Sequence, residues 1–363
     1  MRLEISLSKI VEVVSAVSRV VASRPQLPVL ANILLEAEAA GLRVSATDLA
    51  VGVSWFLPAK VETEGKTTVP AKIFLDYITS LRGERAGLEK VGSKLVVSSG
   101  SYSGEMQTIE ASEFPSLSRP PKEGVEIEAK RLALAIEKVS FAAAKDSLRP
   151  VLTGVLFEMT EKKLRLVATD GFRLALNEIA ISGGVESLMV VPLRAVVEMM
   201  RFAREGKIRL SYLPETRQMV AVSSEAVLLA QVLEGSFPDY RKILPKAFRM
   251  RFSVNREEVL QTVRSVSVFA RDNSNVMRWQ VVDGELVAVS SAGERGQGKA
   301  SCGVLIEEGE SAGVSFNSKY IIDFLSGVSC ENVSIGLGEA LAPSLFREDG
   351  SEDYLYVVMP INA

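Results

Sequence analysis

Apolar and polar residues alternate along much of the chain, in paired short runs. Ile33-Leu34-Leu35-Glu36 is followed by Leu42-Arg43-Val44-Ser45-Ala46-Thr47-Asp48, and Val155-Leu156-Phe157-Glu158 by Leu164-Arg165-Leu166-Val167-Ala168-Thr169-Asp170. A third pair is Met277-Arg278-Trp279-Gln280 with Leu286-Val287-Ala288-Val289-Ser290-Ser291. Period-two alternation around a short turn predicts a β-hairpin each time. Asp170 lies 122 residues after Asp48, and Ser291 lies 121 after Asp170. Phe114-Pro115 returns as Phe237-Pro238, and Val69-Pro70 as Val191-Pro192. A period of about 120 residues is too long for a solenoid and fits a repeated domain.

Each repeat also carries two segments with helical spacing, predicting helices over 6–21, 128–146 and 254–272 and over 69–82, 191–204 and 316–328. Ile10, Val13, Val14, Val17 and Val21 form the apolar stripe of the first. Alternating runs such as 94–98 and 219–223 lie between the helices, so each repeat reads as helix, strands, helix, strands. The fold class is therefore α+β, with three tandem domains, each packing two helices on antiparallel sheets. Their boundaries are 1–121, 122–249 and 250–363. Pro120-Pro121-Lys122-Glu123-Gly124 marks the first junction, and residues 246–251 the second.

Composition narrows the chemistry. The 363 residues are 47% apolar and 24% charged, and they include two cysteines and no histidine. Without imidazole there is no Ser-His-Asp triad, Cys-His pair or histidine-bearing zinc site, and two thiols are too few for an all-cysteine one. Cys302 and Cys330 point to a reducing cytoplasm. No apolar run reaches the roughly 18 residues of a membrane span, and the opening Met1-Arg2-Leu3-Glu4 does not read as a signal peptide. Gly293-Glu294-Arg295-Gly296-Gln297-Gly298 is glycine-rich but precedes no helix, so it does not read as a phosphate loop. No cofactor is implied.

The net charge of −3 argues against a simple basic nucleic-acid binder, yet the charge is unevenly placed. The six predicted helices sum to +5 and the remainder to −8. Arg131, Lys138 and Lys145 recur every seven residues, as do Arg194 with Arg201 and Arg264 with Arg271. That spacing puts each set on one helix face, away from the apolar stripe, and suggests phosphate contacts without base reading. Glu257 on the face of Arg264, and Lys319 as the lone cation of the last helix, weigh against it.

Ala168-Thr169-Asp170-Gly171-Phe172-Arg173-Leu174 is the most distinctive stretch. Asp-Gly after an alternating strand is first a turn signal. A catalytic reading would make Asp170 a general base or metal ligand, but the third repeat has Ser290-Ser291 there and no second carboxylate recurs nearby. The apolar ending Tyr354-Leu355-Tyr356-Val357-Val358-Met359-Pro360-Ile361 reads as a final strand running into an adaptable methionine-bearing surface.

Several segments together resemble the bacterial DNA polymerase III β subunits, the sliding-clamp family. They are Arg24-Pro25 with Leu27-Pro28-Val29-Leu30-Ala31-Asn32, Phe141-Ala142-Ala143-Ala144, Ala168-Thr169-Asp170-Gly171 with Arg173-Leu174, Phe237-Pro238-Asp239-Tyr240 and Tyr356-Val357-Val358-Met359-Pro360. The resemblance spans the whole chain and implies a non-catalytic processivity factor: a head-to-tail homodimeric ring whose helices line a hole around double-stranded DNA. It implies a pocket for short motifs of the replicative DNA polymerase, the ATP-driven clamp loader and other clamp-binding proteins. By matching positions the pocket comprises Leu152, Thr169, Gly171, Phe172, Arg173, Leu174, Pro238, Lys242, Ile243, Asn317, Leu341, Val357, Met359, Pro360 and Ile361. Phe172 stands where many relatives have His, Lys242 where Arg is usual, and Asn362-Ala363 replaces a more basic or apolar ending. DNA contacts carry over onto Arg24 and Arg149. Val268 and Phe269 fall at the dimer interface, where the aromatic expected on the first domain aligns with Gly104, leaving Tyr102 or Met106 to replace it. Two other readings stay open: a carboxylate-dependent enzyme acting at Asp170, and a monomeric peptide-binding scaffold.

Overall fold

The computed structural model describes every residue except Ser23, Ser147, Arg204, Asp272, Glu310, Ala340 and Ala363. The chain divides into two compact units, one formed by Met1–Ala129 with Arg201–Val232, the other by Lys130–Met200 with Leu233–Ala363.

The first unit holds α1 (Leu7–Ser18) and α2 (Ala71–Ser80) with two antiparallel sheets. Its eight-stranded sheet runs Val125–Glu128, Lys207–Leu213, Gln218–Val222, Ala226–Gln231, Val51–Pro58, Gly41–Thr47, Asn32–Glu38, Gly65–Pro70. Its five-stranded sheet runs Lys60–Thr63, Arg2–Ser6, Arg85–Val91, Lys94–Ser99, Tyr102–Gln107, with the last strand at an edge. α1 buries Leu7, Ile10, Val13, Val14 and Val17. It ends at Ser18, short of the predicted 21, and the following turn buries Val20 while Val21 is only half-buried.

The second unit holds α3 (Ala129–Ser140, its first residue counted with the first unit), most of α4 (Leu193–Phe202), α5 (Arg256–Ala270) and α6 (Ser318–Gly327). Its nine-stranded sheet runs Ser187–Pro192, Gly154–Met159, Lys163–Thr169, Arg173–Ala180, Tyr354–Val358, Ser344–Glu348, Asn332–Leu337, Met250–Asn255, Leu305–Glu308. A four-stranded sheet runs Gln297–Gly303, Glu285–Ser291, Val276–Val282, Ser311–Asn317.

The three predicted hairpins are present, pairing Leu35 with Val44, Phe157 with Leu166 and Trp279 with Ala288. In the third, Asp283 and Gly284 both have positive φ (51° and 77°), the backbone twist that a two-residue hairpin turn requires. Repeats are joined by strand pairing: Val51–Pro58 pairs with Ala226–Gln231, and Arg173–Ala180 with Tyr354–Val358. The six helices fall where the periodicity puts them, with shorter ends. The predicted ends at 204 and 272 lie outside the described residues. Asn255 and Asn317 cap α5 and α6, their side-chain oxygens accepting from Glu257 and Glu258 and from Lys319.

α3 stops at Ser140, not 146, for a local reason. An α-helix continuing through Phe141 would direct its carbonyl at the amide four residues on; instead it accepts from Arg173 Nη2 at 2.7 Å. Ala142, Ala143 and Ala144 are all buried, and the Ala144 amide donates to Leu152 O. The core of the second unit is aromatic: Trp279, Phe316, Phe324, Phe346, Tyr354 and Tyr356 are fully buried, and Phe324 stacks on Tyr356 with centroids 5.2 Å apart. Among the described residues no helix is long and apolar enough to cross a membrane.

Candidate functional site

The Thr169–Leu174 segment forms a tight polar turn closed by its own side chains. Thr169 Oγ1 donates to Arg173 O (2.6 Å) and accepts from Gly171 N (3.0 Å). Asp170 Oδ1 accepts from the amides of Phe172 and Arg173, and its Oδ2 from Arg173 Nε at 2.9 Å. A carboxylate with both oxygens committed to the turn and a guanidinium is placed to hold structure, not to accept a substrate proton. The first repeat builds the same turn from Thr47, Asp48 and Val51. There Leu49 sits at φ +76°, where the second repeat has Gly171 at φ +93°. Gly171 also leaves room for a neighbour: a Cβ would lie 2.5 Å from Arg149 Nη2, whose guanidinium packs over it and donates to Asp170 O, so a side chain there would displace that arginine.

This turn walls a cavity of about 390 Å³ lined by Thr169, Gly171, Phe172, Arg173, Leu174, Lys242, Ile243, Pro343, Val357 and Met359. Beneath it lies an apolar cluster of Leu156, Val167, Leu174, Leu176, Val190, Tyr240, Leu345 and Val357, with Phe237 and Ile243 packed against it. Strand alternation explains the lining, because Leu174 and Val357 are register partners on neighbouring strands and face the same side. Phe172, 61% exposed, stands at the rim, and its carbonyl accepts from the Met359 amide at 2.8 Å, tying the C-terminal segment to the turn. Tyr240 is buried and donates to Glu158; burial together with that carboxylate pushes its phenol up to about 12. Lys242 Nζ lies 3.6 Å from Asp239 on the open rim.

Nine of the expected pocket residues line this cavity. The others do not. Leu152 is buried in the Pro150–Thr153 turn, Asn317 is the cap of α6, and Pro238 and Leu341 are exposed. Pro360 is half-buried, and Ile361 lies against a separate groove of about 430 Å³ with Arg278, Ser291 and Asn362. The Ile361 amide donates to Ser315 O, which draws the chain away from the cavity after Met359. Ala363 is outside the described residues. Pro343 lines the cavity unannounced, since a proline in the loop before a strand carries no signal of its own.

The cations divide. Arg24, Arg131, Arg194, Arg201, Arg264 and Arg271 are exposed, and Arg264 reaches Ser326 Oγ at 3.3 Å. Glu257 pairs with Arg256, not Arg264. Two expectations need correction. Lys145 lies beyond the end of α3, so it does not share a helix face with Arg131. Lys138 is turned inward: its side chain and that of Glu348 are each 12% exposed, with Nζ 2.6 Å from Oε2 and 5.0 Å from the Tyr354 ring centroid. Arg149, expected at DNA, is exposed but rests on the Gly171 turn.

At the two sheet edges, Val268 is exposed on α5 and Phe269 is half-buried over Gly296 and Gly298 beside the Gln297–Gly303 strand. Tyr102 is exposed on the Tyr102–Gln107 strand, but Met106 is 7% exposed and faces the core, which removes it as a surface contact. Gly104 instead has an aromatic beside it from α2, the Tyr77 ring lying 2.6 Å from the Cβ position of Gly104. Ile73, one turn earlier, is exposed, while Tyr77 is half-buried. The spacing of Ile73 and Tyr77, off the buried stripe of Ala71, Phe74 and Ile78, was the available signal. Among the described residues no cluster of three or more His, Cys, Asp or Glu side chains could hold a metal ion.

Comparison with known proteins bears on this geometry. Family models for the DNA polymerase III beta subunit match in succession: the N-terminal domain over residues 1–118, the central domain over 126–239 and the C-terminal domain over 241–362. The beta sliding clamp of Synechocystis is 31% identical over 376 residues, covering 96% of this chain and 95% of the relative. The DNA polymerase III beta subunit of Thermotoga maritima superposes with a TM-score of 0.92 at 28% identity, covering 100% and 99% of the two chains. A Pseudomonas aeruginosa sliding clamp bound to griselimycin superposes at 0.94 with 26% identity and covers 100% of both.

Proposed function

The chain belongs to the DNA polymerase III beta subunit family, and on that premise we propose that it is a sliding clamp whose cavity captures partner peptides. Two copies, each of three domains (1–121, 122–249 and 250–363), close head to tail around duplex DNA. The clamp is non-catalytic and works in the cytoplasm. It tethers the replicative polymerase and other replication and repair proteins, and a clamp loader places it on DNA.

The observation that carries this reading is the 390 Å³ cavity between the Thr169–Leu174 turn and Val357 and Met359. Its lining is mainly apolar, with a few polar groups at the rim, the pattern of a site that buries the anchors of an extended peptide. Each Å² of apolar surface removed from water contributes about 25 cal/mol, so two large anchors suffice for transient, exchangeable binding. A labelled peptide with leucine and phenylalanine anchors tests it by fluorescence polarisation. Saturable binding lost on Leu174→Lys supports the assignment, and binding unaffected by that change refutes it.

The sheet edges support the assembly. The Tyr102–Gln107 edge with Tyr77 and Ile73 offers open backbone groups and apolar cover, and so does the Gln297–Gly303 edge with Val268 and Phe269. Pairing one copy's first edge with the other copy's second leaves neither strand exposed. Sedimentation at micromolar concentration is expected to show a dimer, and a strict monomer contradicts the ring. On DNA, the exposed arginines offer sequence-blind phosphate contacts, so all registers along the duplex have nearly equal energy and the ring slides.

A further inference from the structure

Arg173 is the most deeply buried charged group of the pocket, at 7% exposure. Each of its guanidinium nitrogens is engaged: Nε with Asp170 Oδ2 (2.9 Å), Nη1 with Asp323 Oδ2 (2.6 Å) and Nη2 with Phe141 O (2.7 Å). The Tyr320 ring lies over it with the centroid 4.5 Å away, and Phe141 at 5.4 Å. Burial opposes the charge, but Tyr356, Asp323 and Asp170 more than offset it, and the guanidinium is held above its ordinary range. The partners come from distant parts of the chain. Asp170 belongs to the pocket turn, Phe141 follows α3, and Tyr320 and Asp323 stand one turn apart on α6.

Asp323 does not line the cavity. We propose that it is a positioning residue for the peptide pocket: by holding Arg173 from α6, it fixes the Thr169–Leu174 turn and keeps the guanidinium out of the space an anchor occupies. This rests on the reading of the cavity as a peptide site. The chain of contact is short. Asp170 uses Oδ1 to close the turn and Oδ2 to hold Nε, so any rotation of the guanidinium pulls on the carboxylate that closes the turn. Without Asp323, Nη1 loses the acceptor that fixes it, and a guanidinium held only by Asp170 and the Phe141 carbonyl can turn toward the cavity it already lines. The head group then swings into the pocket. Asp323 itself is 42% exposed, so its loss opens no core cavity.

The test uses the full-length protein, the labelled Leu/Phe peptide and three variants. Asp323→Ala is expected to weaken binding about tenfold, the effect of losing one charge-assisted hydrogen bond. Asp323→Asn, which keeps an acceptor, weakens it less. Glu348→Gln breaks the similarly placed Lys138 pair away from the cavity, so it lowers the melting temperature and leaves the peptide Kd unchanged. Wild-type affinity in Asp323→Ala overturns the proposal, and so does an equal loss in Glu348→Gln, which would make the effect general loosening. If the unmodified protein fails to bind the peptide, the pocket reading itself falls, a result distinct from either.

Discussion

Replacing Lys138 by methionine separates two roles for a cation on α3. Lys138 follows Arg131 by seven residues, and spacing alone makes both of them DNA contacts. In the structure its ammonium is committed to Glu348 at 2.6 Å and stacked on Tyr354. Methionine keeps the aliphatic stem and removes the charge, leaving Glu348 largely buried without its partner. Breaking such a pair from one side costs about 3 kcal/mol when burial is nearly complete. At roughly 2–4 °C per kcal/mol for a body of this size, the melting temperature falls by about 6–12 °C. Adding Glu348→Gln removes the stranded charge, so the double variant melts above Lys138→Met. The DNA arm reads the salt dependence of binding to linear duplex, in which each phosphate contact contributes about 0.9 to the log–log slope. Lys138→Met leaves that slope unchanged, whereas Arg131→Ala, from the exposed face, lowers it by about 0.9. A Lys138→Met protein that melts like the parent and loses slope like Arg131→Ala would refute the argument.

Deleting Met359 to Ala363 removes one cavity wall and no buried strand, so peptide binding is lost while the melting temperature moves little; unchanged affinity would discredit the wall. Gly171→Ala places a Cβ on Arg149 in a backbone conformation that costs a non-glycine residue about 1–2 kcal/mol, and calorimetry and peptide titration should show lower stability and weaker binding together. Glu178 is opposed by burial, but hydrogen bonds from Lys163 and Arg165 outweigh it and hold the carboxyl below its ordinary 4.5. Its stabilisation is therefore present above that value and lost as pH falls through the depressed one, so Glu178→Gln lowers stability near neutrality, converges with the parent in acid and flattens the acid limb of a denaturation-against-pH curve.

The hairpins and the existence of all six helices were legible because alternation and 3.6-residue spacing are local records of which face is buried. The end of α3 was not: it depends on the Phe141 carbonyl serving Arg173, 32 residues away. The pairing of Val51–Pro58 with Ala226–Gln231 leaves no mark either, since backbone hydrogen bonds do not select side chains. At the cavity, the turn and the last strand were readable from Thr169-Asp170-Gly171 and Val357-Val358-Met359. Pro343 and Asp323 were not: Pro343 enters from the loop before the Ser344–Glu348 strand, and Asp323 through an ion pair with Arg173, 150 residues away. Charge spacing misassigned Lys138 for the same reason: periodicity gives the face of a helix but not the acid that waits beside it.

Retention on closed and opened DNA tests encirclement most directly. Placed by a bacterial clamp loader with ATP on a nicked circular duplex, the protein should stay bound through gel filtration at moderate salt and be lost once the circle is cut. Equal retention on circle and linear fragment would mean that it grips DNA by its surface, and the ring would be wrong.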